Sequence, residues 1–547
     1  MSKKVFYDDE ARTRVLGGAK VLYDAVKTTM GPKGRNVVIQ KSYGQPTITH
    51  DGVTVAEGVE LPEVDDETLG YKVGADLIKQ AASKMNKVAG DGTTTVTVLT
   101  YNILSEANRL IAAGHNPMEL RRGVEEAGVE VLKSLEKLSE PVTGKKSRVA
   151  EVAAISAGDS SIGSLIADVI EKVGAQGVVT VEEGQGLSME SEVVEGFTFD
   201  RGYSSALMVT DVNRQEAEYK NPVIVITDKK ISSVSEISPL IERIAQAGKK
   251  DLVLIAEDVE GEALAMLVLN KLRGAFNTVA VKAPAFGDRR KETLQDIAVL
   301  TGATVISDDF GLTFENADLG VLGKARKVLV SKDATTIIEG GGTVADVKNR
   351  VAQIREQAAH ASSEYDKEQF DKRAAALEGK VAVIKVGGAT ETEIEEKKYR
   401  VDDAVAATKA ALAEGIVPGG GVTLVNLSDG VKADGADSTS AGRSIVKQAL
   451  LQPFRQLMLN AGLNAEALLA QVQAAKAGQG VDVMNPGKLV DLKTAGVVDP
   501  VAVTRQAIQN AVSIAATAMT MGALVVDIPK EESPAAGGGM PGGMGMM

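Results

Sequence analysis

The sequence predicts a multidomain protein that combines mainly α-helical parts with α/β parts, and three observations predict it. The chain has 547 residues, room for about three to four domains at roughly 150 residues each. Apolar residues recur at helical spacing through both ends of the chain. In the middle, short apolar runs alternate with helical patterns, as in a compact α/β unit.

In chain order, Val15, Leu16, Ala19, Leu22 and Val26 line one face of a first helix that ends at Gly31-Pro32. Residues 36–40 and 47–50 read as short strands joined by a turn through Tyr43-Gly44-Gln45-Pro46. Val73, Leu77, Ala81, Met85 and Val88 mark a second helix, and Val96, Leu99, Ile103, Ala107 and Leu110 a third. The first ~135 residues are therefore expected to be mainly helical. Residues 223–227, 252–256, 278–282 and 303–307 read as buried strands, separated by helices over 235–247, 259–273 and 289–301. Val347, Val351, Ile354, Ala358 and Ala361 keep heptad spacing, and a further helix over 366–377 makes a helical hairpin with them. Residues 405–528 return to Ala-rich helix, interrupted by Gly419-Gly420-Gly421. The Gly/Met-rich tail over 531–547 cannot recoup its ordering entropy by burial and is expected to be disordered.

Composition narrows the function. With 61 Lys+Arg against 74 Asp+Glu the net charge is −13, and nine Tyr, nine Phe and no Trp offer few stacking partners, which argues against nucleic acid. Without cysteine there is no disulfide, thiolate metal site or cysteine nucleophile. His50, His115 and His360 are too scattered for a His-ligated zinc. The amino-terminal residues turn acidic before a signal-peptide core can form. The uncharged stretch 506–526 carries too many polar residues for a membrane span and is expected to be a buried helix. Together these point to a reducing, soluble compartment, most simply the cytoplasm.

The sharpest local signal is Gly90-Asp91-Gly92-Thr93-Thr94-Thr95, a glycine loop running into a helix start. Such a loop lets backbone N–H groups approach an anion, and the helix dipole favours negative charge there. Asp91 at its lip is a candidate Mg²⁺ ligand. A plain turn with a threonine N-cap is the competing reading. Thr29-Met30-Gly31-Pro32-Lys33-Gly34 lacks Walker-loop spacing and, alone, reads as a helix end. Asp51 and Asp403 are candidate carboxylates for activating water, each equally readable as a turn acid or a helix N-terminal acid. The seven apolar residues Ala263–Leu269 cover every side of a helix, so one side is either an exposed interaction strip or a buried contact.

Taken in order, these segments resemble the group I chaperonins, the bacterial and organellar sixty-kilodalton type. The likeness runs essentially end to end, through TTMGPKGRNVVIQ (28–40), TITHDGVTVA (47–56), AGDGTTTVTVLT (89–100), VVEGFTFDRGY (193–203), IAEDVEGEALA (255–265), VKAPAFGDRRKETLQDIAVLTG (281–302), VAVIKVGGATETE (381–393), VPGGGV (417–422), VVDPVAVTR (497–505) and the Gly/Met tail. The resemblance implies a mainly helical equatorial ATPase domain from residues 1–137 and 410–530, a small α/β intermediate hinge domain from 138–194 and 378–409, and an α/β apical domain from 195–377. Carried over by position, it implies that Thr29, Met30, Gly31, Pro32 and Asp91, Gly92, Thr93, Thr94, Thr95 hold the phosphates of ATP, with His50 also at the nucleotide site. Asp91 would bind Mg²⁺, K⁺ would sit near His50, and Gly420, Asp482, Val483, Met484 and Asp499 would surround the nucleoside. Asp403 would act as the base toward water, with Asp51 assisting. Tyr203, Leu207, Met208, Ile241, Leu264, Val268 and Leu269 would grip unfolded polypeptides and a 10 kDa-type co-chaperonin, while Arg201 and Glu391 would exchange ion pairs during an allosteric transition. Two stacked seven-subunit rings are the implied assembly. The chain departs from the family at His50, where many relatives carry Lys or Asn, at Leu207 and Met208, where aromatics are common, and at Ser238, where leucine is usual. Residues 60–69 are also several residues longer than in the most familiar members. A small-molecule kinase and a non-cycling scaffold are the competing classes, separated by particle mass with and without ATP.

Overall fold

A computed structural model describes residues 3–40, 46–62, 65–142, 144–174, 177–184, 186–212, 214–361 and 363–528, Asp288 by its backbone alone. The turn at 43–45, part of the 60–69 segment and the tail over 531–547 lie outside the described residues. The chain divides into two compact units. One comes from both chain ends, up to Val142 and from Ala406 onward, and the other is Thr143–Val405.

The first unit is helical. Asp8–Val26, Tyr71–Ala89, Thr93–Ala112 and Pro117–Glu136 come from the amino-terminal segment. Ser438–Ala449 and Val501–Ala518 come from the carboxy-terminal one. The two segments share one core, in which Leu99, Ile103, Leu120 and Leu135 pack with Ile445 and Ile508. The helices 117–136 and 438–449 approach closely because each offers a glycine: a Cβ on Gly123 would stand 2.0 Å from the Thr439 carbonyl oxygen, and one on Gly442 2.2 Å from that of Leu120. Strands Lys3–Tyr7 and Ala523–Asp527 pair antiparallel, tying the first described residues to the last.

The periodic readings hold with corrections. The second helix buries Ala75, Ile78, Ala82 and Ala89 besides Ala81 and Met85, whereas Val88 is exposed. The stretch 506–526 is not one helix, because the helix ends at Ala518 and a strand begins at Ala523. Among the described residues no helix is long and apolar enough to cross a membrane.

The second unit is built on a nine-stranded mixed sheet. Its order is Asn277–Lys282, Asp251–Ala256, Val223–Ile226, Gly323–Val330, Thr335–Gly340, Glu190–Phe199, Lys380–Val386, Val178–Glu183, with Ala217–Lys220 also on Gly323–Val330. The first three strands run parallel, and Val223–Ile226 is buried at every residue, as a strand covered on both faces should be. The expected strand over 303–307 is absent: Ile306 makes a single bridge to Thr227. The Thr227 hydroxyl takes the Ile306 carbonyl at 2.7 Å, so that carbonyl turns to a side chain and not to a longer ladder. The helices Val344–His360 and Glu364–Leu377 form the expected hairpin. Arg350 and Arg373, one from each helix, both reach the buried Asp296 at 2.7 Å. Removing either arginine would leave that carboxylate short of a partner in a dry site, a costly change.

Candidate functional site

In the first unit, three distant segments meet at the amino-terminal end of the 93–112 helix. Gly90 and Gly92 adopt φ of +68° and +80°, which lets the chain reverse between two helices within three residues. A Cβ at Gly90 would stand 2.2 Å from that of Ala406, and one at Gly92 2.7 Å from Val503. Thr93–Thr95 form the first helical turn, and Gly92, as N-cap, supplies no side chain to close it. No N-cap side chain therefore covers the first turn and the positive end of the dipole, which suits an anion site.

The 28–34 turn packs on this end: Thr29 and Thr94 hydroxyls lie 3.2 Å apart. Met30 is buried, and Gly31 turns the chain at φ +79°. The Asn460 carboxamide donates to the Lys27 and Met30 carbonyls at 2.9 Å each and so fixes the turn. A Cβ at Gly52 would stand 2.5 Å and 2.7 Å from the Thr94 and Thr93 hydroxyls, which places the His50-Asp51-Gly52 turn on the same threonines. The His50 ring sits against Gly34, its Cε1 2.7 Å from where a Cβ there would be. Asp51 caps the helix Gly52–Gly58, accepting from the Val53 and Thr54 N–H groups at 3.2 and 2.9 Å. The structure thus uses its carboxylate as a turn acid.

The third wall comes from the carboxy-terminal segment. Strand residues Val417 and Asp499 are paired, and a Cβ on Gly419 would stand 2.9 Å from Asp499 Oδ1. Gly420 and Gly421 take φ of +62° and +74° before the helix Val422–Asp429. Burial pushes the Asp499 carboxyl up to about 7, and the nearby Asp91 carboxylate adds to the rise. Two carboxylates held in one another's field suit a cation. Among the described residues no cluster of three or more His, Cys, Asp or Glu side chains could hold a metal alone. A cation at Asp91 would thus take most of its oxygens from a ligand and water, the mode Mg²⁺ uses with phosphates.

The 482–484 turn is held by its own first residue. Asp482 accepts from the Met484 N–H at 2.9 Å and the Asn485 carboxamide at 2.8 Å, closing its own turn. Val483 packs into a core with Val422 and Val425, and Met484 is exposed. Asn460 had no sequence signal, since 430 positions separate it from Met30.

The second unit carries Asp403, partly buried on the helix Glu391–Glu414 between the buried Val401 and Ala404. Glu391 opens that helix and is exposed. Arg201 donates to the Asp200 carbonyl at 2.8 Å and lies over the Phe286 ring, 5.5 Å from its centroid.

In the single chain the helix Gly261–Leu272 has one side in the core and one side open. Ala263, Leu267 and Val268 face the core, while Leu269 and Leu272 are 46% and 67% exposed. Leu207 is exposed, and Tyr203 and Leu264 are partly so. Met208 does not belong to this surface: its side chain is fully buried, and its sulfur accepts the Ala280 N–H at 3.2 Å. Ile241 and Val268, each 9% exposed, are mainly core side chains that touch the strip's edge.

A profile of the TCP-1/cpn60 chaperonin family matches residues 22–529. With the glycine-lined helix end and the apolar strip in place, the chain belongs to the TCP-1/cpn60 chaperonin family, ATPases that form rings and assist the folding of other polypeptides.

Proposed function

We propose that the protein is a group I-type chaperonin subunit, a chaperonin ATPase that captures non-native chains on its apical strip and times their release by hydrolysing ATP. One observation carries this reading: the Thr29–Thr94 contact and the Asp91–Asp499 field meet at the open end of the 93–112 helix. The residues suit a triphosphate with Mg²⁺, because the start of the 93–112 helix and the Thr29 and Thr94 hydroxyls lie together and Asp91 offers a hard oxygen. Mg²⁺ would neutralise phosphate charge, and K⁺ near His50 would do so in part.

The residues' own roles follow. Thr29–Pro32 and Gly92–Thr95 would hold and orient the phosphates, and Gly420 and Asp499 would bracket the nucleoside, with Asp482–Met484 at its far side. Asp403 would orient the attacking water and accept its proton. Asp51, committed to its helix cap, would assist by fixing the turn that carries His50. Since the base resides in the second unit, hydrolysis would wait for that unit to deliver it. The assembly proposed is two stacked rings of seven subunits with a 10 kDa-type co-chaperonin, acting in the cytoplasm. Arg201 and Glu391 would exchange ion pairs between subunits as the rings switch.

Particle mass measured with and without ATP, alongside refolding of a denatured client, tests this. A ring of about fourteen subunits that needs ATP and the co-chaperonin for refolding is expected. A monomer, or a ring that refolds clients without nucleotide, would overturn it.

A further inference from the structure

The turn closed by the Asp211–Glu216 bridge touches both the apolar strip and the helix that carries Asp403. On one side, the Lys271 ammonium, from the 261–272 helix, donates to the Val209 carbonyl at 2.5 Å. On the other, the Arg214 guanidinium pairs with the Asp402 carboxylate and lies over the Tyr399 ring, 5.9 Å from its centroid. Tyr399, Asp402 and Asp403 stand at i, i+3 and i+4, so they share one side of the helix. Arg214 itself is braced, its N–H donating to Asp211 Oδ1 at 3.1 Å and its guanidinium 3.8 Å from Asp211 Oδ2. Arg214 and Asp402 are only 25% and 20% exposed, which shields the pair from water more than a surface pair.

We infer that Arg214 is a positioning residue for hydrolysis, a latch that holds the Asp403-bearing helix to the 209–216 turn until the turn is displaced. The inference rests on the reading of Asp403 as the base. If that base must travel to meet the phosphates, a partner fixed one residue before it opposes the travel. Without Arg214 the Asp402 carboxylate would lose its partner on the turn, and the helix its tether there. Through Lys271 the same turn touches the strip, so a polypeptide seated there bears on the latch.

Arg214→Ala should raise kcat for ATP roughly fivefold, the equivalent of about 1 kcal/mol, with KM within about twofold. Arg214→Lys should restore most of the restraint, and Asp402→Asn added to Arg214→Ala should have little further effect, because both break one contact. A kcat that falls or stays level in Arg214→Ala would overturn the latch. Amide hydrogen exchange over 396–404 in the nucleotide-free protein separates this from the functional reading. Faster exchange in Arg214→Ala, reversed in Arg214→Lys, supports the latch even if the wild-type chain hydrolyses no ATP, a result that would sink only the proposed function. Unchanged exchange would refute the latch whatever the ATPase does.

Discussion

Asp403 and Asp499 are two acids whose surroundings set different work. As the proposed base, Asp403 is needed only when water attacks, so Asp403→Ala should leave ATP binding intact and slow turnover by about 10²- to 10⁴-fold. Equilibrium binding and single-turnover hydrolysis check this, and unchanged turnover would remove Asp403 from the role. Asp499 favours its protonated form, since burial and Asp91 lift its carboxyl from 3.8 to about 7. Its folded value exceeds its unfolded one, so its contribution to stability is complete below pH 3.8 and is lost as pH rises to about 7. The thermal midpoint of metal-free protein should therefore fall across that window, and Asp499→Asn should flatten the fall. Asp91 and the threonines were legible as one motif because their spacing is local. Their meeting with Thr29 and Asp499 was implied by the family likeness alone, since no periodicity relates residues hundreds of positions apart, and Asn460 was signalled by neither. Asp51 was legible as a helix N-terminal acid, since Asp-Gly before an apolar run is a helix start, and its carboxylate caps that helix.

Helices and strands explain where apolar residues go, and burial divides the proposed client-gripping residues into two kinds. Leu269 lies on the outer side of the 261–272 helix, so Leu269→Ser should weaken capture of a denatured client while sparing ATPase activity and thermal stability. Pull-down of an unfolded client and a melting curve check both halves. Met208 is in the core, so Met208→Ala should cost about 2–5 kcal/mol of stability, read by denaturant unfolding. Sequence alone placed both on one surface because an apolar letter does not say which way its side chain points. The helix was legible from its seven apolar residues, but which side faces outward depends on the Asn277–Lys282 strand it packs against. The missing strand at 303–307 has the same origin: its apolar letters suit a strand, yet Ile306 makes one isolated bridge, to Thr227.

At the scale of the whole molecule, the chain returns to its starting unit after a long insertion. Residues up to Val142 and from Ala406 onward share one core, which is how glycine segments far apart in sequence come to wall one site. The insertion, Thr143–Val405, carries both the apolar strip and the proposed base, so the proposed client-binding surface and the proposed base share one unit. That division of labour follows from nested connectivity, which the family likeness made legible and periodicity did not. The most direct measurement is a structure of the protein with Mg²⁺ and a non-hydrolysable ATP analogue. The account predicts the phosphates at the amino-terminal end of the 93–112 helix, the metal on Asp91 and the ribose beside Asp499. Phosphates bound elsewhere, or a metal that does not touch Asp91, would contradict it.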